Sequence, residues 1–175
     1  VLVLETDPNY TLNSLRKIEL FKLKQKKDSY FKIIGSKDNR VAAEIVSLKA
    51  KNNHDYIIVD SAGKTTDKGI RELCLESNMV LITTSLTQND LIVAFQTVKD
   101  LIPATDLNQE LKLYLLPNRI PRFTRLASVK TQLALIKADI IEAYVPQRKN
   151  YTTPSTIEPD RHYKSVAKQI IKQLE

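Results

Sequence analysis

Two acids and one amide stand where this chain could do chemistry. Asp60 closes the apolar run "DYIIVD", Asp7 follows "VLVLET" with Glu5 two residues earlier, and Asn118 follows "LKLYLLP". Two carboxylates brought to one place can hold Mg²⁺ and orient an attacking water, and an amide can read the edge of a base. The bland reading of each residue also stands: Asp7 and Asp60 can be helix caps and Asn118 a turn former. For Asp60 alone, a metal-holding acid and a cap of the next turn serve equally well.

The stretch Gly63-Lys64-Thr65, directly after Asp60, has the look of the end of a phosphate-binding loop. Such a loop needs a glycine, four residues, then Gly-Lys-Ser/Thr, so that backbone N–H groups can wrap a phosphate. The first glycine should fall at position 58, which is Ile58, and Ser61 and Ala62 alone separate Asp60 from Gly63. Gly35, Gly63 and Gly69 are the three glycines of the chain, so no other stretch supplies the loop. The segment fails as a phosphate cradle. An acid at the end of a buried strand instead fits the Mg²⁺-side acid of a nucleotide site.

The elements that must position these residues alternate from end to end. Strands are predicted at Val1–Glu5, Phe31–Ile34, Tyr56–Val59, Met79–Thr83, Lys112–Leu116 and Asp139–Ala143. Between them helices run over Thr11–Lys24, from a cap at Asp38 or Asn39 past Leu48, near Asp67–Glu76, from Asn89 or Asp90 past Val98, and over Thr124–Lys137. A last helix carries Tyr163, Val166, Ala167, Ile170, Ile171 and Leu174. Inward faces are expected at Leu12, Leu15, Ile18 and Phe21, at Leu91, Ala94, Phe95 and Val98, and at Leu126, Val129, Leu133 and Ile136. The run Ile57-Ile58-Val59 predicts a strand buried on both faces. This alternation predicts an α/β fold, a doubly wound and mostly parallel sheet flanked by helices, in which the strand ends converge on one rim. The segment "VPQRKNYTTPSTIEP" is expected to be a loop, and no linker divides the 175 residues into domains.

Composition narrows the class. Hydrophobic content of 42% with dispersed charge is that of a globular chain. Cys74 is the one cysteine. It excludes a disulfide framework or a cysteine metal site, reads as a small core hydrophobe and fits a reducing, cytosolic setting. No run of about 18 apolar residues marks a membrane span. The net charge of +7, with lysines clustered at Lys22, Lys24, Lys26 and Lys27, points to an anionic partner such as nucleic acid. Most such clusters are solvated faces. With no Trp and no aromatic ladder among the basic residues, contact with phosphates is expected rather than stacking on single strands.

At this point the segments resemble those of a known family. "VLVLETDPN" resembles the "VLLIDxDPQ" strand of the ParA/MinD family of partition ATPases, "DYIIVDSAG" their "DYIIIDxPG", and "NRIPRFTRL" their "NRxxxRTRL". "ITTSLTQNDL" falls where the family has a Pro-rich loop, and "QRKNY" matches the late loop of the small, ParF-like members. The matches occur in family order over essentially the whole chain. The resemblance implies a P-loop NTPase fold of the deviant Walker type, with ATP and Mg²⁺ as cofactors. It gives Asp7 the acid that positions the attacking water and Asp60 the acid near Mg²⁺, with Glu5 on the metal side. Asn118 becomes the adenine-reading residue, Pro146, Gln147 and Arg148 the loop over the base, and Gly63 the switch glycine that senses the γ-phosphate. Glu5 departs from the family's usual Asp by one methylene, and Lys64-Thr65 replace the usual residues after the switch glycine.

The family opens with a strand, a "KGGxGKT" loop and a helix, none of which occurs in these 175 residues. Since the chain starts inside a strand, a single but N-terminally incomplete ParA-like domain is expected, a decayed or split gene being the alternative. The resemblance implies DNA partition by an ATP-dependent homodimer or higher polymer. A centromere-binding protein stimulates it, and it sits on the nucleoid in the cytoplasm through nonspecific duplex DNA. Arg119, Arg122, Arg125, Lys164, Lys168 and Lys172 are the expected phosphate contacts. Two other readings compete: a catalytically inactive nucleic-acid-binding or regulatory remnant, and a MinD-like membrane cycler, because the lysine stripe flanks an apolar face of the last helix. That face is expected to pack on the sheet instead, which makes membrane the disfavoured partner.

Overall fold

The computed structural model describes residues 1–25, 30–37, 40–61, 68–148, 155–158 and 163–175. The chain forms two compact units, Val1–Glu76 with Pro154–Pro159, and Ser77–Thr153 with Asp160–Glu175. Each holds a three-stranded parallel sheet with helices against it.

In the first unit the order along the chain is β1 (Leu2–Glu5), α1 (Thr11–Lys22), β2 (Lys32–Gly35), α2 (Val41–Lys51), β3 (Ile57–Asp60) and α3 (Lys68–Leu75). The sheet order is β2-β1-β3, which puts β1 in the middle. All four β1 residues are buried. β3 pairs on one side only, and Ile58 is 53% exposed, so the strand predicted to be covered on both faces is an edge strand with an open face. Val41 and Ile45 of α2 and Ile70, Leu73 and Cys74 of α3 are buried. Burial pushes the Cys74 thiol up to about 11, in keeping with an inert core hydrophobe.

α1 departs from the periodicity. Ile18 and Phe21 are exposed, and its buried residue is Arg16, 2% exposed. The guanidinium is satisfied on every side: Nε donates to Thr156 Oγ1 at 2.8 Å, Nη2 to the Thr156 carbonyl at 2.9 Å and Nη1 to the Phe31 carbonyl at 3.0 Å. It also lies over the rings of Phe31 and Tyr30, at 4.5 and 5.2 Å. A buried charge with a full set of partners outcompetes an apolar side chain for that face.

The second unit contains β4 (Met79–Thr84), α4 (Gln88–Leu107), β5 (Lys112–Pro117), α5 (Leu126–Leu133), β6 (Asp139–Ile140) and α6 (Tyr163–Leu174), with strand order β4-β5-β6. Tyr114, Leu116, Ile141, Val145 and Val166 form its core, with Met79, Leu81, Ala143 and Ile170 packed against it. α6 is fastened by Gln169, whose Oε1 accepts the Ala143 N–H at 2.7 Å, and by Gln173, whose Oε1 accepts the Tyr114 hydroxyl at 2.8 Å. α4 starts at Gln88 because the Thr87 hydroxyl accepts the Asp90 N–H, one turn's reach from a capping box. Its inward face is Ala94, Val98, Leu101 and Ala104, while Phe95 is half exposed. α5 ends at Leu133, short of the predicted Lys137, and Val129, Leu133 and Ile136 are buried as their spacing predicts. Each fully buried Leu or Ile contributes about 1.5–3 kcal/mol. The predicted caps Asp38 and Asn39 lie outside the described residues.

Candidate functional site

In the first unit the strand ends bring the acids together by register. Glu5 and Asp60 are direct partners in the β1–β3 ladder, and Glu5 pairs with Gly35 on the other side. One residue further, the Thr6 N–H donates to the Asp60 carbonyl at 3.0 Å, which fixes the end of β3 beside the turn that carries Asp7. That turn is built by Asp7 itself: Oδ1 accepts the Asn9 N–H at 2.8 Å and its carbonyl accepts the Tyr10 N–H at 3.0 Å.

Partial loss of solvent raises the Asp60 carboxyl above its ordinary value although the residue keeps an exposed side, and the charges of Glu5 and then Asp7 raise it further. Among the described residues no cation lowers the Asp60 carboxyl, and a divalent ion would relieve this crowding. Hard oxygen donors of this kind suit Mg²⁺, which takes one or two carboxylates and completes its shell with water and phosphate. Among the described residues no group of three His, Cys, Asp or Glu side chains is arranged to hold a metal by itself. The donor set fits an ion shared with a ligand rather than a protein cage.

Glu5 has a task of its own. It is 1% exposed, and its carboxylate accepts the Leu12 N–H at 2.6 Å on Oε1 and the Asn13 N–H at 3.1 Å on Oε2. The longer side chain reaches the orphan donors of the first turn of α1, where a negative charge is favoured. Tyr10, just before α1, adopts a left-handed backbone (φ 47°), and no side chain caps the helix there, so Glu5 does the capping from the neighbouring strand. The Tyr10 ring in turn lies on Gly35, where a Cβ would meet it at 2.4 Å. Sequence reasoning missed this network; the signal available was Glu in place of Asp at the end of β1.

The second unit's strand ends carry a different set. The Asn118 N–H donates to the Thr84 carbonyl at 2.8 Å, and its Oδ1 accepts the Arg119 N–H at 3.0 Å, with Arg119 in the left-handed region at φ 56°. Ile120 and Pro146 form a parallel bridge, and the Gln147 N–H donates to the Ile120 carbonyl at 2.7 Å, so the 146–148 segment lies against the chain that follows Asn118. Asn118 and the Pro146, Gln147 and Arg148 segment are thus neighbours. The Ser85 hydroxyl bonds the Asp90 carboxylate, which sits below its usual range because of that bond, with help from Thr87 and the Arg119 charge. The spacing Thr87-x-x-Asp90 could have revealed this turn from sequence.

Arg119, Arg122 and Arg125 are exposed, as are Lys164, Lys168 and Lys172 on α6. Val166 and Ile170 of that helix pack on the core, while Tyr163, Ile171 and Leu174 of the expected apolar face are exposed. Lys130, on α5, is paired to Glu142 at 2.8 Å. Gly63, Lys64 and Thr65 lie outside the described residues, as do Lys26 and Lys27. Among the described residues no helix is long and apolar enough to cross a membrane.

No protein-family model and no curated protein matches the sequence. Solved structures do match in fold. MinD in the MinC:MinD cell division protein complex of Aquifex aeolicus superposes with a TM-score of 0.60 at 17% identity, covering 86% of this chain and 70% of that one. The MinD cell division protein of the same organism gives 0.56 at the same identity and coverage. A ParA family ATPase from Chlorobium tepidum gives 0.54 at 17% identity, covering 99% of this chain and 83% of that one. The chain has the α/β fold of the ParA and MinD proteins.

Proposed function

We propose that this chain is a ParA-like ATPase segment of a DNA-partition system, nearest to the small ParF-like type. It would act with ATP and Mg²⁺ and bind duplex DNA without sequence readout. The observation that carries the reading is the acidic end of the first sheet. Glu5 and Asp60 are ladder partners, Asp7 is on the adjoining turn, and the Asp60 carboxyl is raised by their charges. That is an arrangement for Mg²⁺ and a directed water on the fold that ParA and MinD proteins share. A bound Mg²⁺ would supply positive charge beside the phosphates. Asp60 would hold it, Asp7 would accept a hydrogen bond from the attacking water through Oδ2, and Glu5 would keep α1 and the Asp7 turn in place. Asn118 and the 146–148 segment would take the base, and Gly63 the γ-phosphate side.

In this reading two nucleotide-bound copies pair, and a centromere-bound partner protein stimulates turnover on the nucleoid. In a chain that carries a Walker A segment ahead of Val1, Asp7→Ala should leave ATP binding nearly intact and lower turnover about 100-fold. Turnover at the parental rate would remove Asp7 from the mechanism. The same protein should retain random duplex DNA only with ATP, less as salt rises, and lose it when two or more of Lys164, Lys168 and Lys172 become Glu. Liposome binding without DNA binding would favour a membrane cycler, against which stands the packing of Val166 and Ile170 on the core. DNA retention that ignores ATP would favour the inactive nucleic-acid-binding remnant.

A further inference from the structure

The second unit holds a cavity of about 340 Å³ lined by Arg122, Ala143, Tyr144, Pro146, Arg148 and Ser165. That volume is at the lower end of what small-molecule sites occupy. Its charge is unusual. Two of its lining residues are arginines, and among the described residues no acid lines it. Among the described residues neither Arg122 nor Arg148 has an acidic partner; the single contact of Arg122 is its own neighbour, the Phe123 ring, at 5.9 Å. Arg16 shows what this chain does with an arginine that serves the fold: it buries the group and gives each of its three nitrogens an acceptor. Arg122 and Arg148 are exposed and have no acceptor of this kind among the described residues.

We propose that this cavity binds the phosphate group of a small phosphate ester, with a body of about sugar size. Two planar forks match the oxygens of a dianion better than they match a single carboxylate, and Arg prefers such bidentate partners. Ala143, Pro146 and Tyr144 are mostly apolar and suit the rest of a small ligand, and the Tyr144 hydroxyl is a polar group that it could contact. The backbone here is firmly set, because the Ile120 N–H donates to the Val145 carbonyl at 3.0 Å and the Ile120–Pro146 bridge follows. Asn118 does not line it, but Pro146 and Arg148 belong to the segment proposed to take the base, so a nucleotide held there and this ligand would compete.

The test is calorimetric titration of the purified chain at low ionic strength with ribose 5-phosphate, ribose and inorganic phosphate. Ribose 5-phosphate should bind at least about tenfold tighter than ribose, with inorganic phosphate between them. Arg122→Ala and Arg148→Ala should each weaken it about tenfold or more, Arg148→Lys less, and Asp60→Asn not at all. Both arginines are exposed, so these variants should melt with the parent, which circular dichroism verifies. Equal affinity for ribose, no binding at millimolar ribose 5-phosphate, or unchanged binding in the double alanine variant would overturn the proposal. So would displacement by random duplex DNA together with equal loss of duplex binding in the same variants, since the anion would then be a DNA backbone phosphate.

Discussion

The strand ends of the two units carry charge of opposite sign. In the first unit Glu5 and Asp60 are ladder partners with Asp7 on the adjoining turn, and burial together with the charges of Glu5 and Asp7 raises the Asp60 carboxyl. In the second, Arg122 and Arg148 share a cavity that no acid lines among the described residues. The rest of the chain treats charge differently. Arg16 is buried with every fork occupied, and Glu19 of the same helix accepts from the Thr156 N–H at 3.0 Å and from its hydroxyl. Burial would raise the Glu19 carboxyl, but hydrogen bonds from Ser155 and Thr156 and the Arg16 charge hold it below the usual range. Satisfied charge marks what holds the fold, and unsatisfied charge marks where a ligand supplies the missing partner.

The contrast is most easily broken at Arg16. Arg16→Ala strands the Phe31 and Thr156 carbonyls and leaves Glu19 without its cation, so unfolding free energy should fall by about 3–5 kcal/mol. Arg148→Ala should change it by less than about 0.5 kcal/mol. Urea denaturation of the two variants beside the parent is the measurement. Equal losses would mean that the pairing of an arginine says nothing here about its role.

How far the sequence anticipates this arrangement depends on the kind of signal. Among the described residues the six strands and six helices are legible, because β1 and β5 are apolar runs and α2 and α5 keep buried faces at helical spacing, whereas of the expected α6 face Val166 is buried and Tyr163, Ala167, Ile171 and Leu174 are exposed. The ladder pairing of Glu5 with Asp60 follows from two acids closing two parallel strands. Periodicity fails at α1, since an arginine with five donors can be buried when carbonyls far along the chain accept them, and Thr156 is 140 residues away. It also fails at β3, because an apolar run states a preference for burial and not the number of neighbours. The cavity could not be read at all: Arg122, Arg148 and Ser165 come from three separate segments, and their meeting is a property of the fold.

A smaller effect sharpens the account of the acidic end. Gly35 lies under Tyr10, and a Cβ there would sit 2.4 Å from the ring. Gly35→Ala must push the ring aside, at about 1–3 kcal/mol. Since Tyr10 donates its N–H to the Asp7 carbonyl, the Asp7 turn should move with it. Turnover in a nucleotide-competent chain should therefore drop by more than thermal stability accounts for, read as kcat at a temperature where the variant is fully folded. A variant as active as the parent would separate the Tyr10 packing from the site.

The smallest expected effect is a gain. The Asp60 carboxyl is raised in the folded protein, so over the window from its ordinary value near 3.8 up to its folded value the folded state holds more protons than the unfolded one. Stability therefore falls as pH rises through that window, and at neutral pH the ionised group weakens the fold. Asp60→Asn removes the charge and keeps the shape. It should raise stability at pH 7 by less than about 1 kcal/mol, a small figure because Asp60 is exposed and solvent screens its neighbours. The gain should shrink to nothing below about pH 3.8, where both states of the parent are protonated. Millimolar Mg²⁺ should stabilise the parent at pH 7 and leave Asp60→Asn unmoved, because the ion offsets the same repulsion that the amide removes. Thermal melts of both proteins at pH 3.5 and 7, with and without Mg²⁺, read all four cases. If Asp60→Asn is destabilising at pH 7, the carboxylate belongs with Arg16 among the groups that hold the fold, and the acidic end loses its claim to a metal.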